Sequence, residues 1–136
     1  MTKHELNFAL TLRCYRKSLG LDQAELAALL DVAQNTVSRW EAGIRTPRDP
    51  VEVLMRLYEL SDVVDDVVDD VVALAMRDDA GRVTLTTFLR DEHWWLADER
   101  ARDLALPVSM HQAATAQAAR EISADDGTVV IIRASH

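Results

Sequence analysis

The sequence predicts a mainly α-helical protein in two parts. Residues 1–60 should form a bundle of five short helices, and residues 61–136 a long helix followed by a small β-α-α-β unit. Through the first part, apolar residues recur at three- and four-residue spacings, as in amphipathic helices. In the second part, the unit Val-Val-Asp-Asp repeats every four residues, which also favours a helix. Only residues 82–89 and 128–133 are rich in β-branched residues and follow a glycine turn, as strands do.

Residues 22–43 contain two consecutive helix patterns. Asp22 is a favourable N-cap residue, and Glu25 follows it at the spacing of a capping box. The first helix then presents one apolar face, formed by Leu26, Leu29 and Leu30. After a short break, a second helix is expected over residues 34–42, because Val37 and Trp40 are apolar at i and i+3 and Gly43 is a typical C-terminal stop.

The second of these helices has a polar face. The residues expected to point away from the core are Gln34, Asn35, Thr36, Ser38 and Arg39. Amide side chains bind adenine edges bidentately and arginine binds guanine, so this face is chemically able to read a major groove. Two short helices, a tight turn and a polar second helix make a helix-turn-helix.

This segment resembles the XRE family of bacterial and phage repressors, the Cro-like class. The resemblance covers roughly residues 6–60, and the matching residues are Gln23, Glu25-Leu26-Ala27, Val37-Ser38, Trp40-Glu41-x-Gly43 and Pro47. It implies a Cro/repressor-like helix-turn-helix domain that binds double-stranded DNA. The layout of the whole chain is similar to that of phage repressors associated with anti-CRISPR genes, which would make it an autorepressor.

The resemblance also implies roles for single residues. Gln34, Asn35, Thr36 and Arg39 match positions that contact bases, and Gln23 matches one that contacts a phosphate. The sequence departs from the family at two places: Asp31 stands where glycine is usual, and Ala33 stands where a capping Ser or Thr is usual. Because alanine has no side-chain oxygen to accept the free N–H groups of the first turn, we expect a less rigid start to the recognition helix.

The residues around this motif support the same domain. Arg45 and Arg48 follow the recognition helix and are candidates for phosphate contacts. Asp49 is expected to cap a further helix. The first helix, over residues 5–18, has an apolar stripe that contains Leu6, Leu10 and Cys14, so Cys14 is predicted to be a small core residue.

Charge and composition limit the location and partners of the protein. The formal net charge is −8; residues 1–60 hold eight Lys/Arg and eight Asp/Glu, whereas residues 61–136 hold seven Arg and fifteen Asp/Glu. We therefore expect the second part to face away from DNA. A single cysteine excludes an intrachain disulfide, and no apolar run approaches the roughly 20 residues of a membrane span, so we expect a cytoplasmic protein that does not enter a membrane.

The second part is predicted to mediate dimerisation. Its elements are expected at residues 61–76 (helix), 82–89 (strand), 91–103 (helix), 109–122 (helix) and 128–133 (strand). Two strands make a marginal sheet with open edges, which favours a homodimer formed through a shared sheet or through the valine helix. A homodimer would read an inverted repeat whose half-sites lie about 34 Å apart.

No catalytic, metal-binding or cofactor-binding constellation is recognisable. The four histidines lack metal-ligand spacing, and Asp91-Glu92-His93 is explained by an exposed helix start. Trp94 and Trp95 are expected to pack in the core or a dimer interface. The main hypothesis is thus a homodimeric repressor without cofactor. The alternatives are an antitoxin-type module whose acidic half binds a protein partner, and a ligand-gated regulator that uses the tryptophan-bearing half as its sensor.

Overall fold

The computed structural model describes residues 3–135 (with the backbone alone at 3–6 and 126), and this part of the chain is mainly helical with one small sheet. Its helices are α1 (Lys3–Ser18), α2 (Gln23–Leu30), α3 (Gln34–Glu41), α4 (Pro50–Ala73), α5 (Asp91–Ala97), α6 (Glu99–Asp103) and α7 (Val108–Asp126). Its strands are β1 (Met76–Arg77), β2 (Val83–Thr87) and β3 (Val130–Ala134). The predicted fold class, an N-terminal helix-turn-helix followed by a long helix and a small α/β part, is confirmed.

The chain divides into two compact units, Met1–Asp62 and Val63–His136. In the first, α1, α2, α3 and the start of α4 enclose an apolar core whose fully buried members include Leu12, Leu26, Val37 and Leu57. The ring of Phe8 meets that of Trp40 edge-on, with 6.3 Å between the centroids. This contact packs the apolar side of α3 against α1.

Helix α4 is longer than the sequence suggested. One continuous helix covers Pro50–Ala73, where two helices divided at residue 60 were expected. The described residues of the first unit therefore contain three helices and the start of a fourth, and not the five predicted helices. Asp49 caps it as predicted, accepting a hydrogen bond of 3.1 Å from the Glu52 N–H. Neither glycine nor proline occurs between residues 51 and 73, so nothing interrupts the helix at Ser61.

The valine repeat of α4 is buried and its aspartates are exposed. Val64, Val67, Val68 and Val71 all belong to the core of the second unit. The adjacent aspartates face solvent, and one of them, Asp66, accepts a hydrogen bond of 2.8 Å from Arg100 Nη1. The helix ends at Ala73 and not at residue 76, because Met76 pairs with β2.

The sheet has the order β1-β2-β3. β1 runs antiparallel to β2, with Met76 opposite Thr84, and β2 runs parallel to β3, with Val83 opposite Val130. Burial alternates along β2, where Val83, Leu85 and Thr87 point into the core. The two predicted strands are present; the third, β1, is two residues long and too short to produce an alternating pattern.

The helices of the second unit differ in detail from the prediction. Residues 91–103 form two helices and not one, because Asp98 adopts an extended conformation (φ −138°, ψ 107°) and caps α6 through its carboxylate. α7 begins one residue earlier than expected, at Val108, and continues to Asp126, where Gly127 in a left-handed conformation ends it. The Gln112 amide near the start of α7 donates a hydrogen bond to the Phe88 carbonyl at 2.8 Å.

The prediction for Cys14 is wrong. The buried face of α1 is formed by Phe8, Ala9 and Leu12, so Cys14 lies on the exposed side and Leu10 is 48% exposed. The stripe through Leu6, Leu10 and Cys14 has the correct period but the wrong phase; the side chain of Leu6 is outside the described residues. No helix between residues 3 and 135 is both long enough and apolar enough to cross a membrane.

Candidate nucleic-acid interface

The first helix of the motif is closed at both ends by its own residues. The Asp22 carboxylate accepts a hydrogen bond of 2.7 Å from the Glu25 N–H, and the Glu25 carboxylate accepts one of 2.9 Å from the Asp22 N–H, which confirms the capping box. At the other end, Asp31, which stands where the family usually has glycine, adopts a left-handed conformation (φ 57°, ψ 46°). The Val32 N–H then reaches the Ala27 carbonyl at 3.0 Å, a Schellman-type closure that aims the chain into the next helix.

The second helix, α3, divides into a buried and a polar side. Val37, Trp40 and Glu41 are buried. Gln34, Asn35 and Arg39 are exposed, and Thr36 and Ser38 are half-buried at the margin. The helix ends at Glu41, one residue before the predicted end, and Gly43 follows with φ 72°. The structure therefore puts the predicted base-reading side chains on one accessible side of a helix that is anchored by its opposite side.

The start of α3 lacks a side-chain cap. Ala33 occupies the N-cap position in an extended conformation (φ −73°, ψ 149°) and makes no side-chain hydrogen bond to the helix. Serine in this geometry can accept an N–H of the first turn. We predict that Ala33→Ser raises the free energy of unfolding by about 0.5–1.5 kcal/mol. Urea denaturation followed by circular dichroism would measure the difference.

The matched control for this change is Ala28→Ser, on the exposed side of α2. There a serine only lowers helix propensity, so the control should lose up to about 0.5 kcal/mol. Ala33→Ser should also leave base preference unchanged, because the new hydroxyl points at the helix start. A destabilised Ala33→Ser protein would show that α3 begins elsewhere in solution.

The end of α3 is held by a buried ion pair. The guanidinium of Arg16 in α1 donates to both carboxylate oxygens of Glu41, from Nε at 2.6 Å and from Nη2 at 2.9 Å. Arg13 donates to the Glu41 carbonyl at 3.0 Å. Only 1% of the Glu41 side chain is exposed, against 14% for Arg16. Bidentate Arg–carboxylate geometry is directional as well as strong, so it fixes α3 relative to α1.

These contacts lower the pKa of the Glu41 carboxyl group and so keep it ionised. Burial raises the pKa of its carboxyl group, but hydrogen bonds from Arg16 and Gln23, together with the positive charges of Arg16 and Arg13, outweigh burial and leave the pKa below its ordinary value of 4.5. The hydrogen bond to Glu41 also raises the pKa of Arg16. The pair is therefore fully ionised at neutral pH.

Gln23, the predicted phosphate contact, takes part in this network. Its Nε2 donates to Glu41 Oε1 at 3.2 Å, so the side chain links α2 to α3 in the free protein. An amide nitrogen has two N–H groups, and one of them remains for another acceptor. Gln23 therefore has a structural role in the free protein, which the sequence alone did not indicate.

Two of the predicted phosphate contacts, Arg45 and Arg48, lie close to the end of α3. Arg45 and Arg48 are exposed, and together with Thr36 they line a shallow groove of about 360 Å³ whose other residues are Trp40, Thr46 and Pro47. The Arg45 N–H bonds the Arg39 carbonyl at 3.3 Å, which joins the exit loop to α3. The remaining predicted site residues, including Gln34, Asn35 and Ser38, do not line this groove.

No pattern in the sequence groups Arg13, Arg16 and Glu41 as a set. One signal was available: Glu41 stands at i+4 from Val37, on the apolar side of α3, where a carboxylate needs a cationic partner. The basic residues of the last turn of α1 could have supplied it, but nothing local in the sequence pairs Arg16 with a residue 25 positions away.

The second unit contains Trp94, Trp95 and Asp91, which were candidates for a ligand or metal site. Trp94 is buried, as expected for core packing, and the half-buried Trp95 donates its indole N–H to the Leu106 carbonyl at 2.8 Å. Asp91 accepts from the Val108 N–H at 2.7 Å and so caps α7. Within the described ranges, no group of three or more His, Cys, Asp or Glu side chains is arranged to hold a metal ion.

Comparison with known families agrees with this geometry. A family model described as a helix-turn-helix domain matches residues 7–67, which include α2, α3, most of α1 and the greater part of α4. No curated protein matches the chain. Residues 7–67 are a helix-turn-helix domain, consistent with the XRE-like family of DNA-binding regulators.

Proposed function

We propose that this protein is a homodimeric transcriptional repressor, without enzymatic activity, that reads a short inverted repeat, including one in its own promoter. Residues 1–60 would bind DNA and residues 61–136 would mediate dimerisation. The observation that carries the proposal is the polar side of α3: Gln34, Asn35 and Arg39 are exposed while Val37 and Trp40 are buried. A helix held this way can enter a major groove without disturbing the core.

The proposed contacts fall into two classes. Base edges would be read by Gln34, Asn35, Thr36 and Arg39, with Ser38 beside them, because amides and guanidinium groups discriminate bases. Phosphates would be bound by Arg45 and Arg48 at the groove after α3, which sets the register of the helix on the duplex without reading sequence. The second N–H of Gln23 would reach a further phosphate while the first remains on Glu41.

Arg39→Ala should weaken binding to the true operator by about 1–3 kcal/mol and relax the base preference at one position. The exposed guanidinium of Arg39 makes this a loss of direct readout, with little effect on the fold. Fluorescence anisotropy titrations on an operator series, each with one base pair changed, would measure both effects. The operator for these titrations is identified by searching the DNA upstream of the gene for an inverted repeat.

Arg45→Ala is the control for a phosphate contact. It should weaken binding to operator and random DNA almost equally, and it should reduce the slope of log K against log salt by about one unit. Equal losses on operator and random DNA for Arg39→Ala would contradict its role as a base reader.

Dimerisation is part of the proposal because an inverted repeat mirrors the two-fold symmetry of a dimer. Of the two routes suggested by the sequence, packing through the valine helix is disfavoured. Val64, Val67, Val68 and Val71 are buried within one chain, so they are unavailable to a second. The exposed side of α4 in this region is acidic and would repel its own copy.

A further inference from the structure

Strand β3 is an open edge of the sheet. It is paired on one side with β2, and no further strand lies beyond it in the described part of the chain. Three apolar residues in or beside it are substantially exposed: Val129 at 61%, Ile131 at 46% and Ile132 at 43%. Open edges of this kind are normally protected by proline, several charged side chains or a bulge. The segment 129–135 contains no proline and a single charged residue, Arg133.

The hydrogen-bond pattern shows which backbone groups remain available. The Val83 N–H donates to the Val129 carbonyl at 3.0 Å, and the Ser135 N–H donates to the Thr87 carbonyl at 2.7 Å. In a parallel ladder, alternate residues of a strand direct both N–H and C=O to the same neighbour. Since Val129 and Ser135 face β2, the backbone groups of Val130, Ile132 and Ala134 point to the open edge.

We propose that β3 pairs antiparallel with β3 of a second copy of this chain, with Ile132 on the two-fold axis. This inference rests on the homodimer of the proposed function and names its interface. With Ile132 opposite itself, Val130 lies opposite Ala134 of the other copy. Each of these pairs exchanges two N–H···O=C bonds, so every outward group of the strand is satisfied.

Charge selects this register over its neighbours. Arg133 lies opposite Ile131 of the second copy, on the sheet face that also carries Thr84 and Thr86. A register centred on Arg133 would set two like charges directly opposite each other, which is unfavourable. A register centred on Ile131 avoids that clash but sets Ala134 opposite Thr128, which lies outside strand β3. The sequence of the strand is thus self-complementary around Ile132, which favours a second copy over an unrelated strand.

The first test compares two substitutions at the axis by sedimentation equilibrium of the full chain. Ile132→Lys places two ammonium groups side by side and should raise the dimer dissociation constant at least about tenfold. Ile132→Thr keeps a β-branched residue and the backbone bonds, and should raise it much less. Thermal melts show whether each variant remains folded, and a folded Ile132→Lys dimer of unchanged affinity would overturn the inference.

The second test determines which residues of the two β3 strands lie opposite each other. It does not require a substitution that destabilises the strand. Ile131→Cys and Arg133→Cys are made separately in a Cys14→Ser background and then mixed under mild oxidation. Residues 131 and 133 form a non-hydrogen-bonded pair with Cα atoms about 4.5 Å apart, so the mixture should form a disulfide-linked heterodimer. Each variant alone should remain uncrosslinked. Rapid crosslinking of Ile131→Cys with itself would overturn the register centred on Ile132.

These results separate the interface from the homodimer itself. A wild-type chain that sediments as a monomer at micromolar concentration would overturn both proposals. A wild-type dimer that neither Ile132→Lys nor the cysteine mixture affects would overturn the β3 interface and leave the homodimer standing. Capture of a strand from another protein by a monomeric chain would also overturn the inference.

Discussion

Replacing Glu41 with alanine is expected to lower the free energy of unfolding by about 3–5 kcal/mol, the usual cost of removing one partner from a buried ion pair. The substitution leaves the Arg16 guanidinium, which is largely buried, without its carboxylate, and it also removes the acceptor of Gln23. Helices α1, α2 and α3 therefore each lose a connection in one step. Urea denaturation of the wild-type and variant chains would give the difference.

Two further variants make this experiment specific. Glu59→Ala changes an exposed glutamate of α4 and should stay within about 0.5 kcal/mol of wild type. Glu41→Gln keeps the shape and an acceptor oxygen, so it should lie between the two. If Glu41→Ala behaved like Glu59→Ala, the ion pair seen in the structure would have no share in stability.

Acidification is expected to destabilise the second unit through His111. Burial lowers the pKa of this histidine from 6.5 to about 4, and the negative charge of Asp98 opposes the shift only in part. Between those two values the unfolded chain binds one more proton than the folded chain, so stability falls as the pH falls. The full effect is about 3 kcal/mol, of which about 2 kcal/mol is lost between pH 7 and pH 5.

The structural cause is the packing around the imidazole. Nδ1 of His111 lies 2.7 Å from the Thr87 hydroxyl, and the ring meets those of Phe88 and Trp94 edge-on. His111→Gln should therefore flatten the dependence of the free energy of unfolding on pH. Glu41 adds its own loss only below about pH 4.5, because its folded pKa lies under that value. A wild-type chain equally stable at pH 7 and pH 5 would contradict this prediction.

The sequence was most informative where local chemistry decides local structure. Asp22 and Glu25 define a helix start through groups three residues apart, and Gly43 defines an end through its own dihedral angle. The valine repeat was predictable for a similar reason, since a four-residue period matches only a helix. The exposed side of α3 was predictable in the same way, because it is the complement of the apolar side.

Features that depend on distant residues were not predictable in this way. The acceptor of the Gln23 amide is Glu41, which lies on another helix, and only the fold brings the two together. Which side of α1 is buried depends on its contact with α3, where Trp40 packs against Phe8, whereas Cys14 is exposed. β1 is defined by its pairing with β2 and has no pattern of its own.

The left-handed turn at Asp31 also determines which substitutions the motif can accept. The side chain of Asp31 is exposed, so neither size nor polarity restricts this position. Its backbone does, because φ 57° is accessible to glycine and, among side-chain-bearing residues, mainly to asparagine and aspartate. A library at position 31 should therefore retain those three residues and lose valine and isoleucine, although all five would be equally solvated. Tolerance to mutation here follows a dihedral angle, whereas at Val37 and Leu26 it follows volume.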